Sequence, residues 1–300
     1  MTLQLADKRE ISREQWLELR RAGIGGSDAA AVLGLNPYAS PLSVYMDKVQ
    51  GARGEQTLAM EVGSCLEPFL RKKFEERMKE EKGCEIHVQE VPCMLGNSHY
   101  PFMIANLDGQ FTHPELGKCG LELKTTGGFN RSKWEKDHIP RHCYIQVQHY
   151  MAVTGLQHFY LGILIGNGIF SIKQVPRDQE IIQTIIKKQE HFWNNHVLAR
   201  VPPDPSGLEC DSGILKEMFP EAQETTVELP HCQEIYHRYK DLKKKEKHLK
   251  QEMEHIRQQF MAEMKEAQVA RVGGKKITWK VVEKKGYTVP PSAKRVLRIH

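Results

Sequence analysis

An aspartate at position 108 is followed fourteen residues later by Glu122-Leu123-Lys124. In a β-strand, side chains two apart share a face, so Glu122 and Lys124 project together while Leu123 enters the core behind them. Asp108 sits in Ala105-Asn106-Leu107-Asp108-Gly109, at a turn beside the neighbouring strand. Two carboxylates converging with one ammonium suit metal-assisted phosphodiester hydrolysis: the oxygens hold a hard divalent cation, and the lysine positions or polarises an attacking water. Taken alone, Glu-x-Lys is common on solvated strand faces, but three further groups accompany it. Glu67 offers another carboxylate on a helix ahead of the strands, or only a charge near a helix start, a reading with which Pro68 agrees. Gln146 and Tyr150, four apart on one face of an otherwise apolar helix, could wall a site or form a satisfied buried network. Gly25-Gly26-Ser27-Asp28 opens a helix, with Arg20 and Arg21 just upstream, and such a turn can bind a phosphate. Helix capping by Ser27 or Asp28 is its plainer use.

These groups need elements to carry them. Apolar residues at three- and four-residue spacing predict helices over 14–21, 29–33, 42–49, 61–79, 143–154 and 178–199. Alternation or short apolar runs predict strands over 85–91, 102–104, 109–112, 120–124, 159–165 and 169–175. Helix, mixed strands, helix, strands is the order of an α/β (α+β) domain. Residues 1–200 are expected to form this core, and 201–230, which opens with Val201-Pro202-Pro203-Asp204-Pro205, a linker. Residues 231–300 should then form a long basic helix with a C-terminal strand extension. The helix is expected over 231–267, with a seam of Ile235, Tyr239, Leu242, Leu249, Met253, Ile256, Phe260 and Met264 interrupted at Glu246. That seam could fold back on the body or mediate oligomerisation. Gly273-Gly274 is read as the stop before a strand over 275–283.

Composition narrows the class. The chain has 300 residues, 27% charged and 40% hydrophobic, and no apolar run approaches the ~20 residues of a membrane span. Its start lacks the features of a secretory signal, so a cytoplasmic protein is expected. Seven cysteines without knuckle or redox spacing are expected to be reduced thiols. Zinc is disfavoured because no HExxH motif or helical His pair with a carboxylate occurs, and the one i, i+4 pair, His138 and His142, has Pro140 between its members. The net charge of +5 divides unevenly: residues 231–300 hold 18 Lys and Arg against 8 Asp and Glu. The acidic remainder contains the carboxylates, and the basic end could supply phosphate contacts or simply be solvated.

Taken together, Leu19-Arg20 … Ile24-Gly25-Gly26-Ser27-Asp28-Ala29, then Gly63 … Leu66-Glu67-Pro68, Leu107-Asp108-Gly109, Leu121-Glu122-Leu123-Lys124 and Gln146-Val147-Gln148-His149-Tyr150-Met151 resemble the YqaJ-like viral recombinase family. That family is the lambda-type exonuclease branch of the PD-(D/E)xK nucleases. The resemblance covers roughly residues 12–175, and motifs in this order are far more specific than any one of them. It implies a PD-(D/E)xK restriction-endonuclease-like core with a central mixed sheet flanked by helices. It also implies a Mg²⁺-dependent exonuclease that degrades one strand of duplex DNA in the 5′→3′ direction, leaving 3′ overhangs for recombination by single-strand annealing. Asp108, Glu122 and the Leu123 carbonyl would be metal ligands, Glu67 would support the second of two ions, and Lys124 would orient water or stabilise charge. Gln146 would contact the lysine, Arg20 and Ser27 would hold the terminal 5′-phosphate, and Arg21, Gln148 and Tyr150 would be accessory.

The implied partners are double-stranded DNA ends, further copies of the chain in a ring trimer, and a single-strand annealing recombinase, with no membrane. The setting would be a bacterial cytoplasm for a phage or prophage protein, or host nucleus or cytoplasm for a eukaryotic virus. A carboxylate-rich site favours Mg²⁺ or Mn²⁺ over zinc. Alternatives are an endonuclease or repair nuclease of the same fold, and a non-catalytic DNA-binding or assembly protein.

Overall fold

Short polar caps divide the first part of the chain into separate elements. After strand β1 (Thr2–Asp7), Ser12 and Gln15 close a capping box at the start of helix α1 (Arg13–Arg21). Helix α2 (Gly26–Val32) follows from Gly25, and Ser40 caps α3 (Pro41–Gln50) with Pro41 in its first turn. Thr57 caps the 25-residue α4 (Leu58–Lys82). The structure is a computed structural model that describes residues 1–51 and 57–283.

The strands come next: β2 (Cys93–Asn97), β3 (Ile104–Ala105), β4 (Gly109–His113) and β5 (Gly117–Thr126). Helix α5 (Arg141–Thr154) then leads to β6 (His158–Ile165) and β7 (Ile169–Pro176). Strands β4-β5-β6-β7 form one sheet, antiparallel except for the central pair, where β5 and β6 run parallel with Glu122 beside Leu161 and Lys124 beside Ile163. A parallel pair needs a crossover, and α5 supplies it. A second sheet, β1-β2-β3, is joined to α2's approach by the bridge between Ile24 and Met103.

The four-stranded sheet is covered on both faces, giving the mixed α/β class expected from the sequence. On one side Leu70, Phe74 and Met78 of α4 pack with Phe111, Leu121, Leu123, Tyr160 and Phe170. On the other, residues of α2 and α5 pack with Phe159, Leu161 and Ile163. Helix α6 (Gln179–Phe192) adds Ile182, Ile185 and Ile186 to this larger core. Strand β5 therefore sends Leu121 and Leu123 one way and Glu122 and Lys124 the other.

Several expected elements differ. Residues 85–91 form only an isolated bridge, Gln89 with Gln110, because Val88 donates its N–H to Glu75 Oε1 at 2.6 Å instead of to a strand. Pro68 lies inside α4, so Glu67 is a mid-helix residue and not a charge at a helix start. The helix expected over 178–199 changes to a π turn at Trp193–Leu198. The expected linker 201–230 contains helix α7 (Glu209–Met218). Its Asp211 accepts hydrogen bonds from Ser40 Oγ of α3 and from Ser206 N and Oγ. A buried carboxylate with three donors fastens this stretch to the first of two units, Met1–Met218.

The second unit begins at Phe219 and contains the 32-residue α8 (Gln233–Met264) and a hairpin of β8 (Val269–Val272) and β9 (Lys275–Thr278). Gly273 and Gly274, at φ of 52° and 77°, make the hairpin turn, so they do not end the helix. The strand expected over 275–283 stops at Thr278, where pairing with β8 ends. The last part of the expected basic extension, 284–300, lies outside the described residues.

Candidate active site

Strand β5 presents Glu122 and Lys124 toward α5, and the helical spacing of α5 presents Gln146 and Tyr150 back toward them. Lys124 Nζ donates to Glu122 Oε1 at 2.7 Å and to Gln146 Oε1 at 2.8 Å. Gln146 Nε2 donates to the same Glu122 oxygen at 2.6 Å and to Tyr150 OH at 3.0 Å. Asp108 enters from the turn before β4, its Oδ2 accepting the Leu123 N–H at 2.7 Å. The Asp108 carbonyl accepts from Arg71 Nη1 at 2.9 Å, and Arg71 also lies 3.7 Å from Glu67. All these residues except Arg71 line one cleft of about 850 Å³.

The site's electrostatics follow from crowding like charges beside one lysine. Burial pushes Asp108 well above the ordinary carboxylate range, and the nearby Glu122 pushes it further, against the opposing Leu123 N–H. Burial alone would depress the Lys124 ammonium, but Glu122, with help from Cys143 and Asp108, outweighs it and holds the group above its usual value. Burial, then Glu122, raises the Tyr150 phenol well above normal, so it stays protonated. Burial also raises Glu67, opposed by Lys8 and Arg71.

The donor set fits a hard divalent cation. Glu122 Oε2 is buried with no hydrogen-bond partner, beside a second carboxylate whose ionisation is disfavoured as it stands. A cation would satisfy the first and reverse the second. Among the described residues no group of three or more acidic, histidine or cysteine side chains is gathered closely enough to hold a metal.

At another wall of the cleft, Arg20 Nη2 donates to Ser27 Oγ at 2.8 Å. The turn between them is braced from inside. Lys48 Nζ, fully buried, donates to the Arg20 carbonyl at 3.1 Å and to Asp28 Oδ2 at 2.7 Å, and that same oxygen accepts the Gly25 N–H at 3.1 Å. A Cβ on Gly26 would stand 2.3 Å from the Tyr150 ring, so glycine lets α2 approach α5 here.

The structure thus brings together Asp108, Glu122, Leu123, Lys124, Glu67, Gln146, Tyr150, Arg20 and Ser27. Two residues expected as accessory contacts lie elsewhere. Arg21 turns toward the end of α3, donating to the Gly51 carbonyl at 3.4 Å. Gln148 is fully buried and ties α5 to the chain beyond β7, donating to the Pro176 carbonyl and accepting the Asp178 N–H. Residues that spacing did not single out also line the cleft: Lys8, Trp16, Asn36 and Tyr38. Lys8 arrives on the strand pairing of β1, which has exposed, weakly patterned residues. Lys48 carried one signal, a charge within the apolar periodicity of α3.

Residues 15–157 match the family described as the YqaJ-like viral recombinase domain. The uncharacterized protein YqaJ of Bacillus subtilis (strain 168) is 33% identical over 284 residues, spanning 93% of this chain and 86% of that protein. Among solved structures, an alkaline exonuclease from Laribacter hongkongensis aligns with a TM-score of 0.49 and 19% identity, covering 67% of this chain and 99% of that one. A phage related exonuclease from Haemophilus somnus 129PT aligns with a TM-score of 0.42 and 12% identity, covering 62% and 99%.

Proposed function

Because the chain belongs to the YqaJ-like viral recombinase family, we propose that it is a metal-dependent deoxyribonuclease that removes nucleotides from the 5′ ends of linear duplex DNA. The observation that carries this reading is the meeting of Asp108, Glu122 and Lys124 in one cleft with a buried, unsatisfied Glu122 oxygen. Asp108, Glu122 and the Leu123 carbonyl would hold Mg²⁺ or Mn²⁺, with Glu67 toward a second ion, and the metal would supply charge neutralisation at the scissile phosphate. Lys124, held as an ammonium, serves to orient the attacking water and to face developing negative charge, not to remove a proton. Gln146 bridges Lys124 and Glu122 and so fixes both groups relative to each other. Arg20 and Ser27 would take the 5′-phosphate, and a fixed end sets both polarity and the bond presented for cleavage.

The 3′ overhang left behind would be the substrate of a single-strand annealing recombinase, and the ring trimer belongs to the same reading. A phage origin would place the reaction in a bacterial cytoplasm. Among the described residues no helix is long and apolar enough to cross a membrane.

Lys124→Ala and Glu122→Ala should each lower Mg²⁺-dependent hydrolysis by at least about 10²-fold while leaving the protein folded. Full activity in either purified variant contradicts the assignment. Arg20→Ala should lower the preference for 5′-phosphorylated over 5′-hydroxyl ends; an unchanged preference puts the phosphate elsewhere.

A further inference from the structure

Helix α8 is 32 residues long, and most of its apolar residues fall on one seam, with Tyr236 and Met261 off it. Ile235, Leu242, Leu249, Met253 and Ile256 are between 44% and 67% exposed, and Phe260 is 38% exposed. The spacing alternates three and four, which assigns Tyr239, Glu246, Met253 and Phe260 to one core position of a heptad and Ile235, Leu242, Leu249 and Ile256 to the other. We propose that α8 pairs antiparallel with α8 of a second copy of this chain, with Leu242 of one set against Met253 of the other.

Charge selects both the occupant and its direction. In a parallel, in-register pair, Glu246 would face Glu246 inside the seam. On the flanks Lys245 would approach Lys250 and Arg238 would approach Lys243, with Glu252 and Arg257 the one attractive pair. Reversing one helix removes these conflicts, while it also removes the Glu252–Arg257 attraction and brings Lys243 near Lys250 of the other copy. The layers become Ile235 with Phe260, Tyr239 with Ile256, Leu242 with Met253 and Glu246 with Leu249, and the dyad repeats each of them. Lys245 of each copy then opposes Glu252 of the other, giving two attractive pairs.

The one polar seam residue is already prepared for such a place. Lys243 Nζ and Lys250 Nζ reach Glu246 at 2.8 Å and 2.7 Å. These two hydrogen bonds hold its carboxyl down to about 2. Near the dyad, two Glu246 carboxylates would therefore be ringed by four lysines, which offsets the like-charge contact of Lys243 with Lys250 across the pair. The seam from Ile235 to Phe260 is about 40 Å long, enough for a two-stranded coiled coil. This pairing is independent of the nuclease reading, since none of its residues lines the cleft; in a ring trimer it would join chains of two different rings, because a dyad cannot relate the three chains of one ring.

Sedimentation equilibrium of the full chain over a range of concentrations tests it. The unsubstituted protein should self-associate, and Lys245→Glu should weaken that association about tenfold, because two attractions become repulsions. Adding Glu252→Lys should restore the affinity to within about twofold by inverting both pairs. A parallel pair predicts the opposite for Lys245→Glu, which would then face Lys250 and associate more tightly. Tighter or unchanged association in Lys245→Glu, failure of the double variant to recover, or a monomer at every concentration overturns the proposal.

Discussion

In the proposed reaction, the chemistry of the cleft rests on a lysine that is kept charged. Lys124 stands beside Glu122 and Asp108, and its ammonium is stabilised in spite of burial, which makes it an electrostatic group. A second lysine, Lys48, works one step away. It joins the Arg20 carbonyl to Asp28, and so couples the two ends of the segment that carries Arg20 and Ser27. Lys48→Met should cost about 3 kcal/mol in urea unfolding, since a buried carboxylate loses its ammonium. In the fraction that stays folded, the ratio of rates on 5′-phosphate and 5′-hydroxyl ends should fall toward one. If stability falls and that ratio holds, Lys48 is a strut without influence on end recognition. Glu122 and Lys124 were legible as a pair because strand alternation puts them on one face, whereas Asp108, in the turn before β4, was legible only through the order of the accompanying motifs. Arg21 and Gln148 were not, because their direction depends on α3 and on the chain after β7, elements distant in sequence.

At the scale of elements, α5 is the hub, carrying Gln146 and Tyr150 to the cleft and His149 to the core. His149 Nε2 donates to the Ile104 carbonyl at 2.9 Å, and Nδ1 accepts from Gln189 Nε2 at 3.0 Å, so one imidazole joins α5 to β3 and α6. Burial depresses its pKa below 6.5. The unfolded chain therefore binds the proton more readily, so this contribution to stability is full above pH 6.5 and is lost as pH falls from there toward the depressed folded value. The slope is at most about 1.4 kcal/mol per pH unit. Melting temperatures between pH 7.5 and 5.5 should fall more steeply for the native protein than for His149→Gln, with the depressed His142 common to both. Parallel curves would remove His149 from the explanation. Helices and central strands were legible because burial on one or both faces patterns them. Strand β1 escaped because most of its residues are exposed, and residues 85–91 misled because alternation without a paired neighbour does not make a ladder.

The whole molecule gathers its basic excess toward one end. The site lies in the unit of Met1–Met218, which holds 27 Asp and Glu against 25 Lys and Arg, and a bound cation would offset the carboxylates of the cleft locally. The basic excess lies in residues 231–300, and the apolar seam of α8 is legible there as a three-and-four spacing. From sequence, 201–230 reads as a linker between core and extension. The apolar and acidic residues of α7 instead continue the first unit, a fact that depends on Ser40, some 170 residues away.

The central claim is metal-dependent hydrolysis from a 5′ end. Linear duplex DNA carrying one label at the 5′ end and another at the 3′ end of the same strand should be incubated with the full protein, with Mg²⁺ and with excess chelator. The account predicts early release of the 5′ label as a nucleotide, late release of the 3′ label, and no release of either in chelator. Release in chelator, early loss of the 3′ label, or equal cutting of a closed circular duplex would contradict it.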